Sequence, residues 1–347
     1  MKKELPPPMT GSNGLFGLPY EALKWEVLKT SVQLGLFDRL SDSRTSSEVA
    51  QALSLHPANT DYLLNALVAL GCLSKSDGQY RNTELAERFL RTGTDTFIGE
   101  ALLFMEQWML PVLNGGLKQL LGNGPPPKKT AMGDPELWKM GARVSLNYSR
   151  CGRAQAMARL VSELPEFPAL TRMLDMGAGP GILGLALAAA HPSLKCVIMD
   201  QPAVAEVAQE TVAEYGMEAR TEVRPGDYMQ DDIGSGYDLI MANFTLNFYR
   251  DRLGELMDKV LASLNPGGIF LVTSDGLSRD GTAPAATVIS WLSTKLLGSD
   301  MSFETGQISR AMLDAGFVSI ERRTLTDIEL EAHGPVEMTI GRKEMGY

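Results

Sequence analysis

"MLDMGAGPGILGLALAAAHP", residues 173–192, decides the fold, because a short apolar strand runs through a glycine-rich turn into an apolar helix. Glycines let a backbone turn sharply and approach a ligand closely, and such a loop lies at the ligand-binding edge of an open α/β sheet. A dinucleotide site requires G-x-G-x-x-G, and its third glycine would fall on Ile182. The loop is therefore one residue tighter than that motif, and Asp175 precedes it. By itself, the loop also fits a purely structural turn.

The chain around this loop alternates short apolar strands with helices from Arg172 onward. The strands are "RMLDMG", "KCVIMD", "TEVRPGD", "YDLIMAN" and "GIFLVTSD". This alternation predicts a parallel sheet with helices on both faces, an α/β fold. The last two strands, "FVSIERRTL" and "PVEMTIGRK", are joined by a loop too short for a crossover helix, so we predict that they pair antiparallel.

Two further acids stand where strands end. Asp200 ends the second strand in "VIMDQPAV" and could accept both hydroxyls of a ribose. Asp227 ends the third strand in "RPGDYM" and could accept from an adenine amine. Either acid alone fits a helix N-cap. Both together, at one edge of one sheet, are hard to assign to capping alone.

The first part of the chain has the pattern of a winged helix. A helix from Tyr20 to about Leu40 precedes two short helices in "TSSEVAQALSLHPANTDYLLNALVALGCL". The N-cap candidates are Thr45 or Ser46 for the first of these helices and Asn59 or Thr60 for the second. "GCLSKSDGQYRNT" then predicts a hairpin that turns on Asp77-Gly78.

Winged helices often bind DNA, so a DNA-binding regulator is the alternative functional class. A DNA reader needs Lys and Arg on its second helix, but "NTDYLLNALVALG" carries a single charge, Asp61. This apolar helix favours an interaction module. With the amphipathic "YEALKWEVLKTSVQLGLFDRL", it would form a large exposed patch in a monomer, so we predict a homodimer.

The composition limits the remaining classes. With 347 residues, two domains are expected, and we place them at 1–165 and 166–347. The net charge of −10 argues against binding to nucleic acid or an anionic membrane. Cys72, Cys151 and Cys196 are too far apart for a metal motif or a disulfide framework. The chain shows no signal peptide and no apolar run of 18 residues, so we expect a cytoplasmic protein that holds no metal.

Together these motifs resemble the class I S-adenosylmethionine (SAM)-dependent methyltransferases, and more narrowly the small-molecule O-methyltransferases with an N-terminal winged-helix dimerisation domain. The likeness covers nearly the whole chain, through "SVQLGLFDRL", "TSSEVAQAL", "LLNALVALGCL", "LDMGAGPG", "MDQPAV", "GDYM", "LNPGG" and "AGF". It implies a Rossmann-like seven-stranded sheet whose last strand is antiparallel, with SAM as cofactor. The cofactor site that it implies consists of Gly177, Gly179, Asp200, Gln201, Asp227, Tyr228 and Asn243.

The resemblance also shows what is missing. The family usually places a catalytic histidine nine residues after the acid that begins the fourth strand, and counting from Asp238 this position is Asn247. The two acids that usually assist that histidine fall on Ser274 and Ser302, although Asp275 and Glu304 lie nearby in the sequence.

The missing base restricts the acceptor. Only about a thousandth of a phenol is ionised at pH 7, a penalty of roughly 4 kcal/mol, and a general base contributes about 10²–10⁴ in rate. We therefore predict an acceptor that needs no base, such as a thioether (for example a methylthio-hydroxy acid in dimethylsulfoniopropionate synthesis), an acidic enol or an activated carbon. The alternatives are an O-methyltransferase that uses Tyr148 or Tyr249 as base, and a SAM-binding protein without turnover.

The helix "ELWKMGARVSLNYSRCGRAQAM" should roof the cleft, and we expect acceptor contacts on one of its faces. Arg143 or Arg150 could hold an acceptor carboxylate as a bidentate pair, although a surface arginine fits either position. Aromatic side chains could wall the pocket, although tryptophans at helical spacing also suit a core. The candidate acceptor contacts are Met140, Arg143, Val144, Asn147, Tyr148, Arg150, Asn247, Trp108, Trp138 and Trp291.

Overall fold

The computed structural model describes residues 13–127, 134–325 and 335–346. The chain forms two compact units, one up to Leu103 and the other from Phe104 onward. The sequence analysis placed this division at 165/166. The difference arises because the helices of residues 135–162 pack on helices that flank the large sheet, so they belong to the second unit.

The first unit is a small helical domain with a three-stranded antiparallel sheet. The strands follow the order β1-β3-β2, and residues such as Leu64, Leu67 and Tyr80 form the buried core. Its elements are α1 (Asn13–Gln33), β1 (Arg44–Thr45), α2 (Ser46–Leu53), α3 (Pro57–Ala69), β2 (Leu73–Ser76), β3 (Gln79–Asn82) and α4 (Glu84–Phe89).

In the first unit, the predicted N-cap is correct for α2 and wrong for α3. Thr45 caps α2 in a reciprocal capping box with Glu48. The prediction that Asn59 or Thr60 caps α3 is wrong: His56 is the N-cap, because Pro57 suits the first helical position and the His56 Nδ1 atom accepts from the next turn.

The predicted hairpin forms between β2 and β3. Asp77 and Gly78 have φ values of 49° and 76°, as a two-residue hairpin turn requires. The single charge of α3 serves this sheet, since the Asp61 carboxylate accepts a 2.7 Å hydrogen bond from the Tyr80 hydroxyl.

The second unit is built on a seven-stranded sheet in the described residues. Strands β4 to β8 run parallel, and β10 lies antiparallel between β8 and β9, giving the order β6-β5-β4-β7-β8-β10-β9. This confirms the predicted fold class and the antiparallel last strand. The strands are β4 (Arg172–Met176), β5 (Lys195–Asp200), β6 (Thr221–Pro225), β7 (Tyr237–Asn243), β8 (Leu264–Asp275), β9 (Ser319–Leu325) and β10 (Val336–Arg342).

Helices cover both faces of this sheet. Met173 faces a core with α8 and α9, whereas its neighbour Leu174 faces a core with α11 and α14, as expected for strands buried on both sides. Helix α5 (Gly99–Met109) begins in the first unit and ends in the second. The helices of the second unit are α6 (Gly116–Asn123), α7 (Pro135–Tyr148), α8 (Ala154–Ser162), α9 (Ile182–Ala190), α10 (Pro202–Glu214), α11 (Leu253–Ser263), α12 (Ala285–Ser290), α13 (Leu292–Leu296) and α14 (Gln307–Ala315). Within the described ranges, no helix combines the length and apolarity needed to cross a membrane.

The helix pair α7–α8 contains an irregularity that matters for the site. The sequence predicts one helix from about Pro135 to Leu164, but a π-helical turn at Ser149–Arg153 divides it. Gly152 has φ 121° and ψ −20° there, a conformation that favours glycine. Single π-turns of this kind often occur at functional sites.

Candidate functional site

A cavity of about 670 Å³ opens in the second unit where β4, β5 and β7 end. This is the edge at which open parallel sheets bind ligands. One part of its lining is polar and comes from the loops after these strands and β6. The other part is aromatic and comes largely from α5, α7 and the loop after β7.

The glycine loop forms the floor of the polar part. A Cβ atom on Gly177 would lie 2.0 Å from the Thr245 Oγ1 atom, and one on Gly181 would lie 2.6 Å from Ile198. These two glycines are therefore required by the protein's own packing. Gly179 has φ 58°, and a Cβ atom added to it would meet no described atom closer than the Ser145 Oγ atom at 3.8 Å, so its open side leaves room for a ligand.

Asp200 lies beside this loop at the end of β5. One carboxylate oxygen accepts from the Gly179 N–H and the other from the Gln201 N–H, each at 2.7 Å. Burial raises the pKa of Asp200 to about 6. Because a carboxylate has about four acceptor positions, each oxygen can still accept from one hydroxyl of a diol.

Asp227 and Tyr249 form a second polar group. The Tyr249 hydroxyl donates to Asp227 at 2.7 Å, and the Met229 N–H donates to the same carboxylate at 2.8 Å. Burial alone would raise the pKa of Asp227, but these hydrogen bonds outweigh it and hold the pKa below its usual value. Burial and the bond to Asp227 raise the pKa of Tyr249, so this phenol keeps its proton.

Asn243 presents an unused hydrogen-bonding group. Its Oδ1 atom accepts from the Thr273 hydroxyl at 2.7 Å, while its Nδ2 atom is buried and has no partner in the part of the chain that the structure describes. With the amide reversed, the Nδ2 group would donate to the Thr273 hydroxyl instead. In either orientation, one amide atom stays available to a ligand, because Asn243 lines the cavity.

These features fit SAM. The open loop admits backbone contact, Asp200 can accept from the ribose, Asp227 can accept from the adenine amine, and Asn243 has a free amide group. The structure brings all the predicted cofactor residues to one cavity, namely Gly177, Gly179, Asp200, Gln201, Asp227, Tyr228 and Asn243. Among the described residues, no group of three or more His, Cys, Asp and Glu side chains could hold a metal ion.

The aromatic part of the cavity contains two of the predicted tryptophans. Trp138 packs edge-on against Phe248 with ring centroids 5.0 Å apart, and Trp108 packs edge-on against Phe104 at 6.2 Å. Sequence reasoning missed Phe104, Phe244 and Phe248. The sequence held a signal for Phe244 and Phe248, because these aromatic residues alternate with polar ones in "NFTLNFY", residues 243–249.

Several predicted acceptor contacts lie outside the cavity. Arg143 is exposed and pairs with Glu210 at 2.8 Å, and Arg150 pairs with Glu214 at 2.6 Å. Asn147 accepts from Arg150. The cavity face of α7 and the following turn instead consists of Leu137, Trp138, Gly141, Ala142, Ser145 and Ser149. The predicted face of α7, which also included Met140, Val144 and Tyr148, therefore lies about one position away from the face that lines the cavity.

Trp291 and Asn247 also lie outside the cavity lining. The Trp291 indole N–H donates to the Asp275 carboxylate. Asn247 is 5% exposed, and its side-chain N–H donates to the Met301 carbonyl at 2.7 Å. The amide at the family's base position thus ties the loop after β7 to the segment before α14.

The remaining positions of the family's catalytic group, including Asp275, lie outside the described cavity lining. Ser274 is buried, and the Ser302 hydroxyl donates to Asp300 at 2.7 Å. Glu304 pairs with Arg310 at 3.3 Å. Tyr148 lies outside the cavity, and burial raises the pKa of its hydroxyl.

Arg153 lines the cavity but was not singled out from the sequence. The sequence pattern predicts a regular helix through this point, and a regular helix would turn Arg153 in a different direction from the one that the π-helical turn gives it. Gly152, directly before it, was the available signal, because an isolated glycine in a helical pattern often has a packing or functional reason.

Two family models match the chain. The O-methyltransferase dimerisation domain matches residues 19–92, and the O-methyltransferase domain matches residues 136–317.

The individual relatives have low sequence identity to this chain, but the matches extend over most of both chains. The chain is 26% identical to 3-hydroxy-5-methyl-1-naphthoate 3-O-methyltransferase of Streptomyces sahachiroi, over 75% of this chain and 76% of that protein. It is 23% identical to L-tyrosine C(3)-methyltransferase of Streptomyces lavendulae, over 88% and 86% of the two chains. The structure of human N-acetylserotonin methyltransferase in complex with SAM superposes with a TM-score of 0.78 over 97% of this chain and 99% of that one, at 19% identity.

Proposed function

Because this chain belongs to the SAM-dependent O-methyltransferase family with an N-terminal dimerisation domain, we propose that it methylates a small aromatic or enolic acceptor without a general base. The family makes it a methyltransferase with SAM as its cofactor, and the proposal concerns the acceptor. The observation that carries it is Asn247, a buried amide bonded to a backbone carbonyl at the family's base position.

The proton-accepting groups that line the cavity are committed elsewhere, and among them Asp200 and Asp227 belong to the proposed cofactor contacts. Tyr249 donates to Asp227, and Tyr228 donates to the Thr245 carbonyl at 2.8 Å. Asp175 is 1% exposed and accepts from the Gly184 N–H, so it has no surface on which to receive an acceptor proton. The described lining residues include no histidine, lysine or cysteine.

Methyl transfer without a base needs an acceptor with an available electron pair. That pair forms a bond to the methyl carbon while the carbon–sulfur bond breaks, and the bond electrons remain on sulfur in S-adenosylhomocysteine. The aromatic walls can align a planar acceptor and exclude water from it. An enol or phenol that is already ionised meets this requirement. A ring carbon activated by such an ionised oxygen also meets it, and the proton on that carbon then leaves to water as the ring regains its conjugation.

The relatives narrow the sequence-based hypothesis. Their names specify methylation of an oxygen on a hydroxynaphthoate and of a carbon on L-tyrosine. Neither name supports a thioether acid, so we favour the acidic enol or phenol and the activated carbon. An O-methyltransferase with Tyr249 as its base remains the competing function, and it predicts a different dependence on pH.

A screen with labelled SAM tests this proposal. It compares 4-hydroxycoumarin, an enol that is ionised at neutral pH, with 1-naphthol, which is not, and identifies the methylated atom from the product. With SAM saturating at every pH, we expect methylation of 4-hydroxycoumarin without a rate limb near pH 6–7. Efficient methylation of 1-naphthol, with a basic limb that disappears in Tyr249→Phe, would overturn the proposal.

We further propose that the chain is a homodimer. Helix α1 exposes Leu15, Phe16, Leu18, Tyr20 and Leu23 to 59–73% of their surface, and the dimerisation model matches from residue 19. Isolated chains rarely expose such a patch. Sedimentation velocity should show a dimer at micromolar concentration and a monomer for Phe16→Asp combined with Leu23→Asp. A monomeric wild type would contradict the proposal.

A further inference from the structure

Arg153 is a half-buried cation without a counter-ion among the described residues. Its Nε atom is shielded from solvent and has no hydrogen-bond partner, and its guanidinium forms no ion pair with any residue in ranges 13–127, 134–325 and 335–346. Its neighbours are aromatic: the guanidinium carbon lies 5.0 Å from the Phe244 ring centroid and 5.7 Å from that of Tyr148. Burial therefore lowers the pKa of Arg153.

The chain treats its other partly buried arginines differently. Arg150 donates to both carboxylate oxygens of Glu214 at 2.6–2.7 Å, and Arg342 donates to Glu166 at 2.6 Å. Partial burial removes water from a charge, and this is unfavourable where no protein group replaces the water, as at the Nε atom of Arg153. The aromatic rings compensate only in part. Packing within the protein therefore does not explain why an arginine occupies this position, and a bound ligand would.

The backbone places Arg153 in the cavity. The π-helical turn at Ser149–Arg153 interrupts the helix, and Gly152 adopts a left-handed φ of 121° directly before it. Arg153 is the one basic side chain among the described lining residues. Of the acidic side chains in that lining, Asp200 and Asp227 belong to the proposed cofactor contacts, and Asp175 is sealed beneath the glycine loop.

We propose that Arg153 binds an anionic oxygen of the acceptor, either a carboxylate or an ionised enol, as a fork of charge-assisted hydrogen bonds. This inference rests on the proposed function and specifies its substrate class: a planar apolar molecule that carries a negative charge. A guanidinium suits this task because its planar donors match a carboxylate and it stacks on aromatic faces. The charge on Arg153 also stabilises an ionised acceptor, which is the form that base-free methylation uses.

The methionyl carboxylate of SAM is a second source of the same chemistry, so the test must separate it from the acceptor. The probes are 1-naphthoate and its neutral analogue 1-naphthamide, whose rings suit the aromatic walls. Calorimetry measures their binding to the protein loaded with S-adenosylhomocysteine. We expect wild type to bind 1-naphthoate at least about tenfold more tightly, the factor of one charge-assisted hydrogen bond.

Variants then assign the preference to Arg153. Arg153→Met keeps the length of the side chain and should remove the preference, while Arg153→Lys should restore part of it. The matched control Arg310→Gln removes an exposed arginine that pairs with Glu304 on the surface and should leave the preference unchanged. Arg153→Met should also unfold at a temperature no lower than wild type, because it removes a half-buried charge that has no partner.

The opposing outcomes are definite. Equal wild-type affinity for the two probes overturns the proposal without any variant. If Arg153→Met weakens S-adenosylhomocysteine but not 5′-methylthioadenosine, which lacks the amino-acid carboxylate, then Arg153 binds the cofactor and the acceptor assignment is wrong. These are equilibrium measurements, so they distinguish failure of this inference from failure of the methyl-transfer screen.

Discussion

Replacing Asp200 by alanine should weaken cofactor binding more than any conservative surface change. In the structure, each oxygen of Asp200 accepts a backbone N–H, from Gly179 and from Gln201, at 2.7 Å. Asparagine is not a neutral replacement, because its NH₂ group would face one of these two donors. Alanine removes the acceptor of the two ribose hydroxyls and also releases the Gly179 N–H.

The magnitude follows from the bonds that are lost. One hydrogen bond to a charged group contributes roughly 1.5–3 kcal/mol, so two ribose hydroxyls give about 3–6 kcal/mol. This corresponds to a factor of about 10²–10⁴ in Kd. We expect the lower end of this range, because water can occupy the space that alanine leaves and bond to the hydroxyls.

The pH dependence has a definite sign. Burial raises the pKa of Asp200 to about 6, and ribose hydroxyls donate to its ionised form, so binding lowers that pKa. Cofactor affinity should therefore be greatest above pH 6 and fall as the pH falls through it. At one unit below the pKa, about a tenth of the free protein carries the binding form, so affinity is about tenfold weaker.

Calorimetry with S-adenosylhomocysteine near neutral pH and one unit below the pKa of Asp200 measures both effects. Asp258→Ala, a change of an exposed acid on α11, serves as the matched control. Circular dichroism checks that each variant is folded. Unchanged affinity in Asp200→Ala, or wild-type affinity that increases on acidification, would refute the assignment of Asp200 to the ribose.

Three further substitutions test the packing around the site. Burial raises the pKa of Asp175 to about 7, so the folded state favours the neutral carboxyl group and the stability of the protein falls as the pH rises from about 4 to 7. Asp175→Asn should therefore raise the melting temperature more near pH 8 than near pH 4. An equal change at both pH values would contradict this. Gly177→Ala should lower the melting temperature more than Gly179→Ala, because both incur the left-handed cost of roughly 1–2 kcal/mol but only the first meets Thr245; similar losses would count against it. Asn247→Ala leaves a buried carbonyl without its donor and should reduce the free energy of unfolding in urea by about 1–3 kcal/mol without removing a limb of the pH–rate profile; loss of such a limb would mean that Asn247 takes part in proton transfer.

The sheet and the cofactor side of the cavity could be predicted because their signals are local. The glycine loop, Asp200 and Asp227 each follow a strand directly, and parallel strands bring their carboxyl ends to one edge. Only the strand order and the exact partners required the structure. An example is the bond between Tyr249 and Asp227, which joins residues from two different loops.

The acceptor side could not be predicted because it depends on helical phase. The arginines of α7 and the following turn suggested ligand contacts, but they face an acidic stripe on α10. That stripe was visible as glutamates spaced by four residues in "AEVAQETVAE". If α7 and α10 had been paired by charge from the sequence, the basic face of α7 would have been assigned to α10 and the opposite face to the cavity. The ion pairs are Lys139–Glu206, Arg143–Glu210 and Arg150–Glu214.

The position of β10 has a consequence for the order in which the protein assembles. Among the described strands, β9 pairs with β10 alone, and β10 is synthesised after both of the strands that it joins. During synthesis, β9 therefore has no strand partner until β10 follows it, and β8 keeps an open edge. Unpaired edges invite association with other chains, so the nascent chain is most vulnerable to aggregation in this interval. If β9 and β10 first pair as a hairpin and this hairpin then docks onto β8, the interval with unpaired strand edges becomes shorter.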